Sequence, residues 1–127
     1  MKYIFILITI LLFAGCSKKI KQSDIIGTWD IYASSPSPMK GKIEKNDVFQ
    51  GWSKFNIDGS FEGLIQTKNS NGKIRTGKYK VRENVLITTF QEKEYKSKIG
   101  FDHGYLFTLT EQPKSNLRLY IYYKKRP

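Results

Sequence analysis

Phe55-Asn56-Ile57-Asp58-Gly59-Ser60-Phe61 decides the fold of this chain. Asn, Asp, Gly and Ser are turn formers, and here they separate two short runs rich in aromatic and apolar residues. Ile57-Asp58-Gly59 fits a three-residue hairpin loop, with Gly59 in the left-handed conformation that costs glycine nothing. That loop sets a register. Phe55 then faces Phe61, Ser53 faces Gly63 and Gly51 faces Ile65, while Lys54 meets Glu62 and Gln50 meets Gln66 on the other face. An aromatic pair inside and an opposite-charge pair outside is the arrangement cross-strand energetics favours. A slip of one residue would reverse every side chain, so the agreement fixes the pairing. Trp52 opposite Leu64 leaves one apolar spot on the outer face.

The pattern repeats along the chain. A two-residue turn at Glu83-Asn84 pairs Val81 with Leu86, Tyr79 with Thr88 and Gly77 with Phe90, and turns Lys78, Lys80 and Arg82 outward. Read as a three-residue turn, Asp102-His103-Gly104 places Ile99, Phe101, Phe107 and Leu109 on one face. In the last run Leu117, Leu119 and Ile121 point in, while Arg118, Tyr120 and Tyr122 point out. Period-two patterning rich in Ile, Val, Thr, Tyr and Phe predicts eight strands, at about 27–33, 48–56, 60–67, 74–82, 85–91, 94–101, 105–111 and 117–124. Residues 34–47, with Pro36, Pro38 and Gly41, read as a long loop. Eight strands that each have one apolar face must bury it, and closure removes the exposed edges. Hairpin connections favour an all-β, antiparallel, up-and-down barrel.

Residues 1–15 read differently. Lys2 precedes an uncharged run from Tyr3 to Ser17 that ends in small residues, the pattern of a secretory signal peptide. The run is 15 residues long, short of the about twenty that span a bilayer. Phe13-Ala14-Gly15-Cys16 resembles a bacterial lipobox, although Phe13 stands where that motif carries Leu, Val or Ile. The resemblance implies cleavage before Cys16 and attachment of lipid, palmitate-type acyl chains included, to its thiol and new amino group. The expected organisation is a leader at 1–15, a lipidated cysteine and polar linker at 16–24, and a barrel domain at 25–127. The implied location is a bacterial membrane; in a host with two membranes, it is the periplasmic side of the outer one. Cys16 is the only cysteine, so no internal disulfide can form.

Ile26-Gly27-Thr28-Trp29 at the first strand resembles the opening motif of lipocalins and their fatty-acid-binding relatives. The hairpins around Asp58-Gly59 and Asn84 are similar to those of bacterial lipocalin-like domains, and the resemblance covers about residues 25–124. It implies that Gly27 and Trp29 close one end of the barrel. A basic residue near the C-terminus would lie on the indole, and Arg118, Lys124, Lys125 and Arg126 all qualify. It also implies a cup that admits a small apolar or amphipathic ligand. The candidate lining is Phe49, Gly51, Ser53, Phe55, Phe61, Gly63, Tyr79, Thr88 and Phe107. A barrel of this size is either filled by such side chains or encloses one small ligand, and the residues leave both open.

Formal net charge is +11. Lys18, Lys19 and Lys21 directly follow Cys16, where basic residues add to membrane attraction. The other lysines are interspersed with glutamates, as on an ordinary solvated surface. Nucleic acid is not the expected partner, since oligonucleotide-binding barrels usually have five strands. No cofactor is expected. A zinc site is not expected from one histidine, His103, and one cysteine. Glu92 and Glu94 stand beside Lys93, Lys96 and Lys98, which would lower a carboxyl pKa where glycoside hydrolysis needs one raised. The chain is therefore read as a monomeric, membrane-tethered binding module and not as an enzyme. The alternative is a solid barrel that binds a protein through the 34–47 loop and the Trp52–Leu64 spot.

Overall fold

In the computed structural model, which describes residues 19–112 and 116–127, eight antiparallel strands close into a barrel. They are β1 (Gly27–Ser35), β2 (Gln50–Phe55), β3 (Ser60–Gln66), β4 (Arg75–Arg82), β5 (Val85–Phe90), β6 (Lys93–Asp102), β7 (Tyr105–Glu111) and β8 (Arg118–Lys125). Each strand pairs with the next, and β8 pairs with β1, so no sheet edge is left open. Residues 1–15, expected to be a leader, and Cys16 lie outside the described residues.

The deciding hairpin forms in the expected register, from Phe55 opposite Phe61 to Gln50 opposite Gln66. Its loop is closed by Asn56 N–H to the Ser60 carbonyl (2.9 Å) and Gly59 N–H to the Asn56 carbonyl (3.1 Å), with Gly59 at φ +89°. The Asp58 carboxylate accepts the Ser60 hydroxyl and N–H, which hold its pKa below the usual carboxylate value. The Glu83–Asn84 turn also pairs Val81 with Leu86 and Tyr79 with Thr88.

The β6–β7 turn departs from expectation. It has two residues, His103 and Gly104, both at positive φ, and Asp102 pairs with Tyr105. Shortening the loop by one residue reverses β7. Leu106 and Thr108 face inward, and Phe107 and Leu109 face out. Phe107 is therefore not a lining residue. Its ring lies across Gly100, where a Cβ would come within 2.5 Å of it. A cross-strand ring over a glycine covers backbone that would otherwise be bare.

Outward residues of β7 and β8 are covered as well. Residues 36–47 fold back over them and form a second core outside the wall. Ile43 (2 % exposed) packs there with Ala33, Leu109, Tyr120 and Tyr122. Asn46 holds the loop to β1, accepting the Ser34 N–H and donating to the Ser34 carbonyl, and Met39 N–H donates to the Tyr122 hydroxyl. A register shift between Ile31 and Ala33 turns the end of β1 toward this outer core. Tyr120 and Tyr122 thus point out of the barrel yet are buried. The loop is anchored through Met39, Ile43 and Asn46, and its other residues are exposed.

The described part of the segment expected to be a linker, residues 19–24, packs against the barrel. From Lys19 the chain is docked on the barrel. Ile20 N–H donates to Asn84 Oδ1 (2.8 Å), the Gln22 side chain accepts the Val81 N–H (3.3 Å), and a 3-10 turn spans Gln22–Ile25. Ile25 is fully buried. Ile20 alone among polar residues shows no period, so composition marks a linker where packing extends the plug that Ile25 begins.

Candidate ligand cavity

The inward residues change along the barrel axis. At the end where Trp29 sits they are large: Phe55, Phe61, Tyr79, Leu86, Ile99 and Leu106 form one core with Ile20 and Ile25. Fully burying a side chain of this size contributes about 1.5–3 kcal/mol. Trp29 Nε1–H donates to the Ile25 carbonyl (2.8 Å), so the indole pins the plug. Lys125 places its Nζ 5.8 Å from the Trp29 ring centroid, and Phe101 packs at 6.1 Å. Among the four basic residues that sequence left open, Lys125 holds this place. Gly27 lies under the same side chain, with Lys125 Cε 3.1 Å from where its Cβ would be. This end is closed.

One step further along five of the strands the inward residue is small. Phe55 is followed by Ser53, Phe61 by Gly63, Leu86 by Thr88, Ile99 by Ser97 and Leu106 by Thr108. Alternation along a strand makes these successive residues of one face. The result is a cavity of about 520 Å³, open at the end opposite Trp29. At its mouth stand Phe49, Ile65, Arg75, Phe90, Tyr95 and Lys96. Phe90 and Tyr95 stack at 4.6 Å, and the Arg75 guanidinium lies 5.1 Å from the Phe90 centroid.

Several hydroxyls of this wall meet one another. Tyr123 bonds Thr108 and Ser53, and Ser97 lies 3.1 Å from Thr110. Burial pushes the Tyr123 pKa up. No buried side-chain polar atom among the described residues lacks a partner. None of the lining residues is acidic, whereas Arg75 and Lys96 are basic.

Of the residues the sequence proposed, Phe49, Ser53, Phe55, Phe61, Gly63 and Thr88 line this cavity. Tyr79 lies in the packed floor, with its hydroxyl on the Asn56 carbonyl (2.7 Å) and its ring against Phe55. Gly51 does not line it. Its φ is +136°, and a Cβ there would run into the Leu64 carbonyl, so its smallness serves strand approach. The sequence reading missed Leu106, Thr108 and Thr110 because of the β7 reversal, and missed Arg75 and Tyr123. His103-Gly104, a two-residue turn with glycine second, was the available signal for β7.

Among the described residues no group of histidine, cysteine or carboxylate side chains is arranged to hold a metal, and no helix is long and apolar enough to cross a membrane. No protein-family model matches the chain, and no curated protein is detectably similar to it. The closed eight-stranded antiparallel barrel is compatible with a lipocalin-like fold.

Proposed function

We propose that this protein is a membrane-tethered binding module that takes an amphipathic small molecule into the barrel, apolar part first. The observation that carries this reading is the change from large to small inward residues, which opens about 520 Å³ in the mouth-side half. Ligand sites commonly fall between about 300 and 1,000 Å³ and are mostly apolar with a few placed polar groups. Arg75 at the mouth, with no acidic lining residue, favours an anionic head group there, whereas Lys96 is paired with Glu94 (3.6 Å). Export and the lipid on Cys16 rest on the leader pattern and the lipobox resemblance. Catalysis is not part of the proposal.

The protein-binding alternative draws less support. The 34–47 segment is anchored on the outer wall through Met39, Ile43 and Asn46, and Trp52 and Leu64 are half-buried. Native mass spectrometry of the leaderless chain, purified without detergent, tests the choice. An added mass released on denaturation, together with saturable uptake of an apolar fluorescent probe, is the expected result. A bare mass with no probe uptake would overturn the carrier reading.

A further inference from the structure

We infer that the closed end of the barrel lies against the bilayer that carries the Cys16 lipid, so that the ligand mouth opens away from that membrane. The inference rests on the lipidation reading above and adds an interaction surface to it.

Three observations lead to it. The first is where the described chain begins. Ile20 is bonded to Asn84 in the β4–β5 turn, and Ile25 is buried beneath Trp29, so the segment leading back to Cys16 leaves from the closed end. The second is length. Cys16 and Lys19 are three peptide units apart, at most about 11 Å of extended chain. The ten residues of β6 rise about 33 Å, or about 25 Å along the axis at a typical strand tilt. A mouth-down pose would need the tether to reach past the full height of the wall, which three units cannot do.

The third is surface chemistry. Lys19, Lys21, Lys80, Arg82 and Lys124 are exposed around the closed end, a charge pattern that fits anionic lipid head groups. Carboxylates stand there too and keep their charge, Asp24, Asp58 and Asp102 in hydrogen bonds and Asp30 in an ion pair with Arg126, so charge alone does not choose this end. Glu83, at the same end, has no ion pair among the described residues. Ile57, at the tip of the β2–β3 hairpin, is 84 % exposed at the same end. The mouth is the rival surface, because Val48, Ile65, Ile74 and Leu117 are exposed around it. The tether decides between them.

The test uses the full chain expressed with its leader, reconstituted in vesicles that contain anionic lipid and a lipid-borne quencher. Ile57→Cys at the closed end and Asn69→Cys at the mouth each receive a thiol-reactive fluorophore. A lipidated Cys16 has no free thiol and stays unlabelled. Quenching several-fold stronger at position 57 than at 69 is the expected result. Equal quenching, or stronger quenching at 69, overturns the orientation. Labelling of Cys16 in the parent chain shows that the lipid reading itself has failed, and the inference falls with it.

Discussion

The two halves of this barrel share the same strands and differ in what those strands present inward. Toward Trp29 the wall carries Phe55, Phe61, Leu86, Ile99 and Leu106, packed on Ile20 and Ile25. Toward the mouth the same strands carry Ser53, Gly63, Thr88, Ser97 and Thr108 around open space. Cores at full density leave few voids larger than water, so the mouth-side half is not an ordinary core. One half holds the molecule together and the other leaves room. Stability and binding should therefore separate under mutation.

The largest effect belongs to the floor. Trp29→Ala removes the indole that joins the plug, Phe101 and Lys125, and is expected to destabilise the barrel by about 3–5 kcal/mol in urea unfolding. A loss below about 1 kcal/mol would mean that the closed end is not the stabilising half. The mouth-side half should respond in the other currency. Thr88→Phe places a ring in the cavity, and its unfolding midpoint should stay near the parent's while probe affinity falls at least tenfold, about 1.4 kcal/mol. Unchanged affinity would place the probe elsewhere than in this cavity.

Alkaline pH probes the boundary between the halves. Tyr123 and Tyr79 both have pKa values raised above 10.0, chiefly because burial penalises the phenolate. Below pH 10 both phenols are neutral in folded and unfolded chains, so this contribution is fully present. Above it the unfolded chain loses protons first, and stability falls as pH rises toward the folded pKa values. Each such group contributes a slope of at most about 1.4 kcal/mol per pH unit. Tyr123→Phe should flatten the fall measured between pH 9 and 11. An unchanged slope would mean that Tyr123 is not the buried phenol responsible.

Much of this contrast was legible in the chain. Hairpin registers at Asp58-Gly59 and Glu83-Asn84 follow from turn chemistry and a period of two, and they put Ser53, Gly63 and Thr88 inside before any coordinates. What failed did so where one local choice controls a whole strand. A third residue in the Asp102–Gly104 turn reverses β7, which cost Thr108 and misplaced Phe107. Burial on the outer wall was hidden for another reason. Tyr120 and Tyr122 alternate correctly with Leu119 and Ile121, but alternation cannot say that residues 36–47 fold over them. The docking of Ile20 was hidden too, since it lies in a segment whose composition is polar. Long-range packing of an irregular segment leaves no period to read.

The smallest predicted effect is the sharpest comparison, because one substitution should change sign between the two ends. The turns Glu83–Asn84, at the closed end, and Gln91–Glu92, at the mouth, each hold two non-glycine residues at φ between +51° and +63°. That conformation is unfavourable for L residues with a Cβ, and glycine relieves it. At the mouth Glu92 has no ion pair among the described residues, so Glu92→Gly should gain about 0.5–1 kcal/mol. Asn tolerates the left-handed region better, and Asn84 has work there: its Oδ1 accepts the Ile20 N–H that seats the plug. Asn84→Gly keeps the turn and deletes that acceptor. It should cost about 1 kcal/mol, the net value of one such hydrogen bond with little strain to recover. Equal gains from both variants in urea unfolding would mean that the Ile20–Asn84 bond contributes nothing, and that the chain before Gln22 is not fastened to the closed end.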